Sequence, residues 1–408
     1  MSDALAALIN AGAGDQDAID LGNGIYMSRG VANAYLVTTP DGDVLINTGL
    51  PNEAAAIRDR FGRVSAGPLR AIVLTQGHPD HVWGWSQLTG PDVETIAQAN
   101  HADVREYWRR LHVCFAGRIA QLWGMVRDDE LLSSDGLTEH LPPEPVITTT
   151  FFDSHTFTLG GRRFELLATP GGEATDALVV WLPEDRTVLV GNLLGPIFGH
   201  VPNLYTIRGD KIRSAIAFLH GVERVLALGA ETLINGHDVV RGAEQIRTTL
   251  ERVRDATAYL RDRTFEGLNA GLDVWALMET VTLPEELALP QLHGKVAWLI
   301  RAIVEEHLGW FRYASTTELY AVPPSSVWAD LVALAGADRV CARAREHAEA
   351  GRPLPALHRT DMLAACAPSP EVSAVQRSAL EQLLATSGRE NFSEVQWLEQ
   401  QIRSTQPR

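Results

Sequence analysis

Six consecutive residues, Gln76-Gly77-His78-Pro79-Asp80-His81, carry the sharpest chemical signal in the chain. They compress an amide, two imidazoles and a carboxylate into one short turn. Neutral imidazole and carboxylate together suit zinc, iron or manganese. The bland alternative is a surface turn that happens to be rich in His and Asp. Against it, the turn follows the run Ala71-Ile-Val-Leu-Thr75, which has the composition of a buried strand. Three more polar residues each follow an apolar stretch: Glu173 in Thr-Pro-Gly-Gly-Glu, Asn192 in Val-Gly-Asn-Leu and His237 in Ile-Asn-Gly-His-Asp. Strand ends of one sheet converge on one rim, so these residues are candidates to complete a cation site. Singly, Glu173 reads as a solvated loop carboxylate and Asn192 as a turn residue; their weight is joint.

The elements that must hold these side chains are short. Asn33 to Gly49 reads as two strands around the turn Pro40-Asp41-Gly42, and residues 52–62 read as a helix. Thr156 to Leu159, Arg163 to Ala168, Leu178 to Leu182 and Val188 to Gly191 have strand character. Beyond about residue 210 the strand signal survives only in Thr232 to His237, and helical periodicity dominates from Gln245 onward. Helices are expected near 296–311, 325–350, 354–367, 371–386 and 391–403. This pattern predicts an α/β domain over 1–250 and an all-α domain over 251–408.

Composition narrows the function classes. A chain of 408 residues predicts two or three domains at roughly 150 residues each. The formal net charge of −16 opposes nucleic acid and anionic membrane surfaces as partners. Cys114, Cys341 and Cys366 are too few and too scattered for a disulfide framework or a thiolate cluster, and read as reduced core residues. Met1 to Asp20 lacks a basic, then apolar, leader pattern, and no stretch of about 20 apolar residues follows. A cytoplasmic protein without membrane insertion is expected.

The order of strand pair, Asn47-Thr-Gly49, His78-x-Asp80-His81, Thr169-Pro-Gly171 and Gly236-His237 resembles the metallo-β-lactamase superfamily over roughly residues 20–240. Thr169-Pro-Gly-Gly-Glu-Ala174 and Asn203-Leu-Tyr-Thr-Ile-Arg-Gly209 are similar to its alkylsulfatase branch. So are His293-Gly-Lys-Val-Ala-Trp298, Leu308-Gly-Trp-Phe311 and Asn391-Phe-Ser-Glu-Val-Gln-Trp-Leu398, which resemble that branch's helical dimerisation domain. The resemblance implies an αββα sandwich and two metal ions, usually zinc, bridged by a nucleophilic hydroxide. It assigns Gln76, His78 and Glu173 to the first ion. Asp80, His81 and His237 fall to the second, with Asn192 in the bridging position, and Asp80 and His81 sit at the catalytic centre. It also assigns Arg208 to the sulfate headgroup, since guanidinium matches tetrahedral oxyanions with paired hydrogen bonds. His200 and Asn203 lie nearby in sequence and are expected in the same pocket.

Three positions depart from the resembled pattern. Gln76 replaces a histidine with a weaker, neutral oxygen donor. Asn192 replaces a glutamate, which leaves one uncompensated positive charge between two dications and favours an anionic substrate or an empty first site. Asn47 replaces an aspartate that braces the metal loop. The sequence ends at Arg408, soon after Trp397, so the sterol-carrier-like domain that many members append is not expected.

The expected activity is hydrolysis of a small anionic ester, a sulfate ester of an apolar alcohol, by metal-bound hydroxide, in a homodimer formed through the helical domain. Two alternatives remain: a lactonase or thioesterase on the same site, and a metal-poor ligand-binding pseudoenzyme. The insertion at 100–150, with Tyr107, Trp108, Phe115 and Trp123, reads as a core element or as an apolar lid. Trp83 and Trp85 are expected to narrow the mouth of the site.

Overall fold

The computed structural model describes residues 14–123 and 141–405. The acidic run Asp128-Asp129-Glu130, the middle of the 100–150 insertion, the side chain of Trp123 and the start of the Met1 to Asp20 stretch lie outside the described residues. The first sheet runs in sequence order: β1 (Ile19–Gly22), β2 (Ile25–Ser28), β3 (Ala34–Thr39), β4 (Gly42–Ile46), β5 (Leu69–Val73), β6 (Glu94–Gln98) and β7 (Thr149–Phe151). The second holds β8 (Ser154–Leu159), β9 (Arg162–Ala168), β10 (Leu178–Leu182), β11 (Thr187–Gly191), β12 (Thr232–Asn235) and β13 (Val239–Arg241). Its spatial order is β13-β12-β11-β10-β9-β8. The pairs β4/β5, β5/β6 and β11/β12 are parallel, so the ends of these strands present their loops on a common rim.

Period-two alternation builds the layers. Val44 and Ile46 of β4 meet Leu178, Val180 and Leu182 of β10 between the sheets. Leu45 turns outward onto Ile57 and Phe61 of the helix Ala54–Val64. On the other side Val179 and Trp181 pack against Phe218 and Val222 of the helix Ala215–Leu228. Strand stretches covered on both faces are apolar, which is why Ala71–Val73 of β5, all of β10 and Val188–Val190 of β11 read as apolar runs. The result is the αββα sandwich.

The described residues pack as two units: 14–117 with 141–307, and 118–123 with 308–405. The division drawn at 250/251 falls inside the continuous helix Ala243–Asn269. That helix gives Ile246, Leu250, Val253 and Leu260 to the outer core of the sandwich, where Leu299 and Ile303 of the helix Val296–Leu308 join them. The physical boundary is therefore near 307, because the first helices of the C-terminal half cover an apolar sheet face.

The second unit is helical and is built around Val332, Cys341, Ala344, Leu363, Val372 and Val375. The stretch expected as one helix over 325–350 breaks into Trp328–Ala335 and Ala337–Glu349. Gly336 sits between them at φ 84°, a conformation that interrupts helical geometry. The helices Pro353–Cys366 and Pro370–Thr386 start on proline, and Ser369 caps the second by accepting from the Val372 N–H. Of the three cysteines only Cys341 is a core residue; Cys114 and Cys366 are exposed.

Candidate metal and anion site

Every candidate ligand lies just past a strand of the sandwich. Asn47, past β4, adopts φ 61° and its Oδ1 accepts from both the N–H and the hydroxyl of Thr75, each at 3.0 Å. This pins the start of the Gln76–His81 turn and gives Asn47 its expected bracing position. The turn's far end is held by Thr48, whose N–H and hydroxyl both donate to the His81 carbonyl. At the end of β12, Asn235 Oδ1 accepts from the His237 and Asp238 N–H groups. Gly236 lets the Asn192 side chain approach closely, since a Cβ there would lie 2.0 Å from Asn192 Oδ1 and displace it.

The donors gather in two pairs. His78 Nδ1 stands 3.7 Å from Glu173 Oε1 and 2.8 Å from the Gln76 amide nitrogen. His81 Nε2 stands 3.6 Å from Asp80 Oδ2 and 3.1 Å from the Asn192 amide nitrogen. Two ligands about 2.1 Å from one tetrahedral ion are about 3.4 Å apart, so each pair has the spacing of neighbours around a cation. In both pairs the third group is an amide. Among the described residues no three His, Cys, Asp or Glu side chains stand in metal-holding geometry. The set thus fits divalent-cation binding in two halves, the first of which has only an amide beside its imidazole and carboxylate. Asn192 Oδ1 and His237 Nδ1, both buried and without hydrogen-bond partners, are further donors for the second half.

Electrostatics suit that chemistry. Burial pushes His81 down to about 4 despite the opposing pull of Asp80, and burial lowers His237 as well, so both rings are neutral. Burial raises Asp80, but His81, His78, His237 and Arg208 outweigh it and keep the carboxyl below its ordinary value.

Two arginines adjoin the first pair. Arg208 Nη2 lies 3.2 Å from Asp210 Oδ2, and its guanidinium stands 5.2 Å over the Trp108 ring. Arg213 pairs with Glu173 Oε2 at 2.5 Å and donates to the Asn203 carbonyl. Asn203 Nδ2 contacts His293 Nε2 at 3.0 Å, and the His200 and His293 rings meet edge to face. Arg208 therefore stands with His78 and Asp210, whereas His200 and Asn203 form a buried cluster with His293 behind Arg213.

Asp210 and Arg213 escaped the sequence reading, and His293 entered it only as the start of the His293–Trp298 motif, not as a neighbour of the site. Asp210 lies one residue beyond the Asn203–Gly209 motif, and no periodicity links Tyr107 to the carboxylate its hydroxyl reaches at 2.7 Å. Trp108 is both core and wall: it stacks on Phe115 at 4.2 Å and meets His78 edge-on at 5.5 Å. Trp83 and Trp85 do not narrow the mouth. Both are buried on the outer face of the first sheet, because the short helices Pro79–Val82 and Trp85–Leu88 turn their apolar sides to Leu45, Ile72 and Leu74.

Residues 27–237 match the Metallo-beta-lactamase superfamily. The chain belongs to that superfamily. Superfamily members generally bind a divalent metal. Residues 275–396 of this superfamily member match the alkyl sulfatase dimerisation family. The chain is 29% identical over 326 residues to a linear primary-alkylsulfatase of Pseudomonas sp. (strain ATCC 19151), covering 74% of this chain and 60% of that protein. It is 25% identical over 391 residues to an (R)-specific secondary-alkylsulfatase of Pseudomonas sp., covering 88% of this chain and 58% of the relative. The chain thus spans little more than half the length of these relatives. In fold it is similar to the stereoselective inverting sec-alkylsulfatase Pisa1 from Pseudomonas sp., with a TM-score of 0.82 at 23% identity over 96% of this chain and 66% of that one. Among the described residues no helix is long and apolar enough to cross a membrane.

Proposed function

We propose that the protein hydrolyses sulfate esters of apolar alcohols, acting in the cytoplasm as a homodimer joined through its helical region. The observation that carries this proposal is the guanidinium of Arg208 beside the His78–Glu173 pair, with the His81–Asp80 pair on the same rim. A positive, largely buried group next to cation-type donors suits a substrate that brings its own anionic headgroup. The names of the similar proteins support sulfate over carboxylate as that headgroup.

His78 with Glu173 and Gln76 would hold one zinc ion, and Asp80, His81 and His237 with Asn192 a second. Such an ion supplies Lewis acidity, which acidifies water and polarises an ester oxygen. The chain's own groups do the rest. Arg208 binds and orients the headgroup, and the Trp108 ring beneath it holds the guanidinium plane. Arg213 neutralises one oxygen of Glu173 and leaves Oε1 toward His78. The neutral imidazoles of His81 and His237 keep lone pairs available.

Inorganic sulfate released from octyl sulfate, with and without a chelator, tests this function. Sulfate release that the chelator abolishes is expected. Arg208→Ala should lower kcat/KM by roughly 10²-fold, as loss of one preorganised oxyanion donor does. Carboxylate released from a lactone or thioester, with no sulfate from octyl sulfate, would overturn the proposal in favour of acyl hydrolysis.

A further inference from the structure

Asp210 is nearly buried, with a side chain 3% exposed, and its two oxygens are fully engaged. Oδ1 accepts from the Tyr107 hydroxyl at 2.7 Å and from the Lys211 N–H at 2.8 Å. Oδ2 faces His78 Nε2 at 3.1 Å and accepts from Arg208 Nη2 at 3.2 Å. An acceptor at Nε2 places the proton of a neutral imidazole there and leaves the lone pair on Nδ1. Nδ1 is the atom that faces Glu173 Oε1 and the Gln76 amide. Half a turn of that amide would set its oxygen, rather than its nitrogen, beside the same point.

We propose that Asp210 is a positioning residue that fixes the Nε2–H tautomer of His78 and aims Nδ1 at a divalent cation shared with Glu173. The cation part of this inference rests on His78 being a ligand, as under the proposed function; the tautomer part does not. Four donors converge on one carboxylate, and they come from the helix His101–Arg110, the Gln76–His81 turn and the segment of Arg208 and Lys211. Asp210 therefore ties the imidazole to the arginine meant for the substrate headgroup. With Gln76 a weak donor, this half of the site depends more heavily on how well His78 is oriented.

Two measurements on the full chain decide it. Nitrogen-15 chemical shifts of the His78 ring, assigned by their loss in His78→Gln, report the tautomer without any metal. Zinc affinity, by competition with a chromophoric chelator, reports the cation. Wild type should show protonated Nε2; Asp210→Ala should lose that preference and bind zinc 10–100-fold more weakly, the loss typical of outer hydrogen-bond partners of a metal-ligating histidine. Asp210→Asn, nearly isosteric and still an acceptor through its amide oxygen, should recover part of both and guards against misfolding of the alanine variant. An unchanged tautomer in Asp210→Ala overturns the proposal, as does wild-type zinc affinity in that variant. Zinc affinity that His78→Gln leaves unchanged would instead remove His78 as a ligand, and the tautomer would then decide the role of Asp210 alone.

Discussion

Asn47 carries more of the site's geometry than its chemistry suggests. Its backbone lies in the left-handed region at φ 61°, which Asn tolerates and most residues do not. Its single Oδ1 satisfies two buried groups of Thr75, one residue before Gln76. Asn47→Gly separates the two contributions, since glycine accepts the backbone but offers no acceptor. The variant should lose roughly 1–3 kcal/mol in urea unfolding, the cost of leaving a buried donor unsatisfied. Wild-type stability would show that the Thr75 contacts brace nothing. At this scale the sequence was legible where residue type sets the chemistry: Gln76, His78, Glu173, Asp80, His81 and Asn192 do converge in two groups. It was illegible where a partner is distant and ordinary. No motif or spacing singles out Asp210 or Arg213, and only the folded loop shows that they close on His78 and Glu173.

Elements were readable where an apolar run or alternation marked them rather than by burial alone: β8, no residue of which is fully buried, was read, and β6, buried over Thr95–Gln98, was not. Val44–Ile46 of β4, Ala71–Val73 of β5, all of β10 and Val188–Val190 of β11 are buried apolar runs, whereas β1, β7 and β13 are short or half-exposed and carry no comparable pattern. The break at Gly336 and the docking of Ala243–Asn269 on the sandwich are tertiary facts that helical periodicity does not encode. The same holds for the contact between the segment after β11 and the segment before Val296–Leu308, which meet through the His200 and His293 rings. Burial pushes His200 down to about 4 and lowers His293 well below its ordinary value. A ring that stays neutral when folded but protonates when unfolded gives an unfolded state that binds more protons, so stability falls as pH drops from about 6.5 toward 4. Each such histidine contributes a slope of up to about 1.4 kcal/mol per pH unit in that window. Denaturant midpoints should therefore fall between pH 7 and pH 5, and His200→Asn should flatten that fall. An unchanged slope in the variant would assign the acid sensitivity to other groups; Asp80 and Asp210, held low in the fold, act mainly at still lower pH.

At the scale of the whole molecule, the helical unit leaves apolar side chains without cover. Trp310, Tyr313, Tyr320, Val322 and Leu334 are exposed within one stretch of sequence, Tyr313 at 88% and Leu334 at 80%. Single exposed apolar residues are ordinary, but a run of large ones in one segment marks an interaction surface. The proposed homodimer would cover them with the same segment of a second chain. Charge opposes that association, since each chain carries −16 and two copies must approach. Apolar burial must outweigh the repulsion, and salt screens the repulsion while leaving the burial intact; the Debye length is about 8 Å at 0.15 M. Light scattering should thus give twice the 44.6 kDa chain mass, with tighter association at higher salt. Tyr320→Glu with Leu334→Glu alters two exposed positions, so the protomer should fold as before and elute as a monomer. A wild-type monomer at all salt concentrations would remove the dimer, and a dimer that the double variant leaves intact would move its interface to another face of the chain.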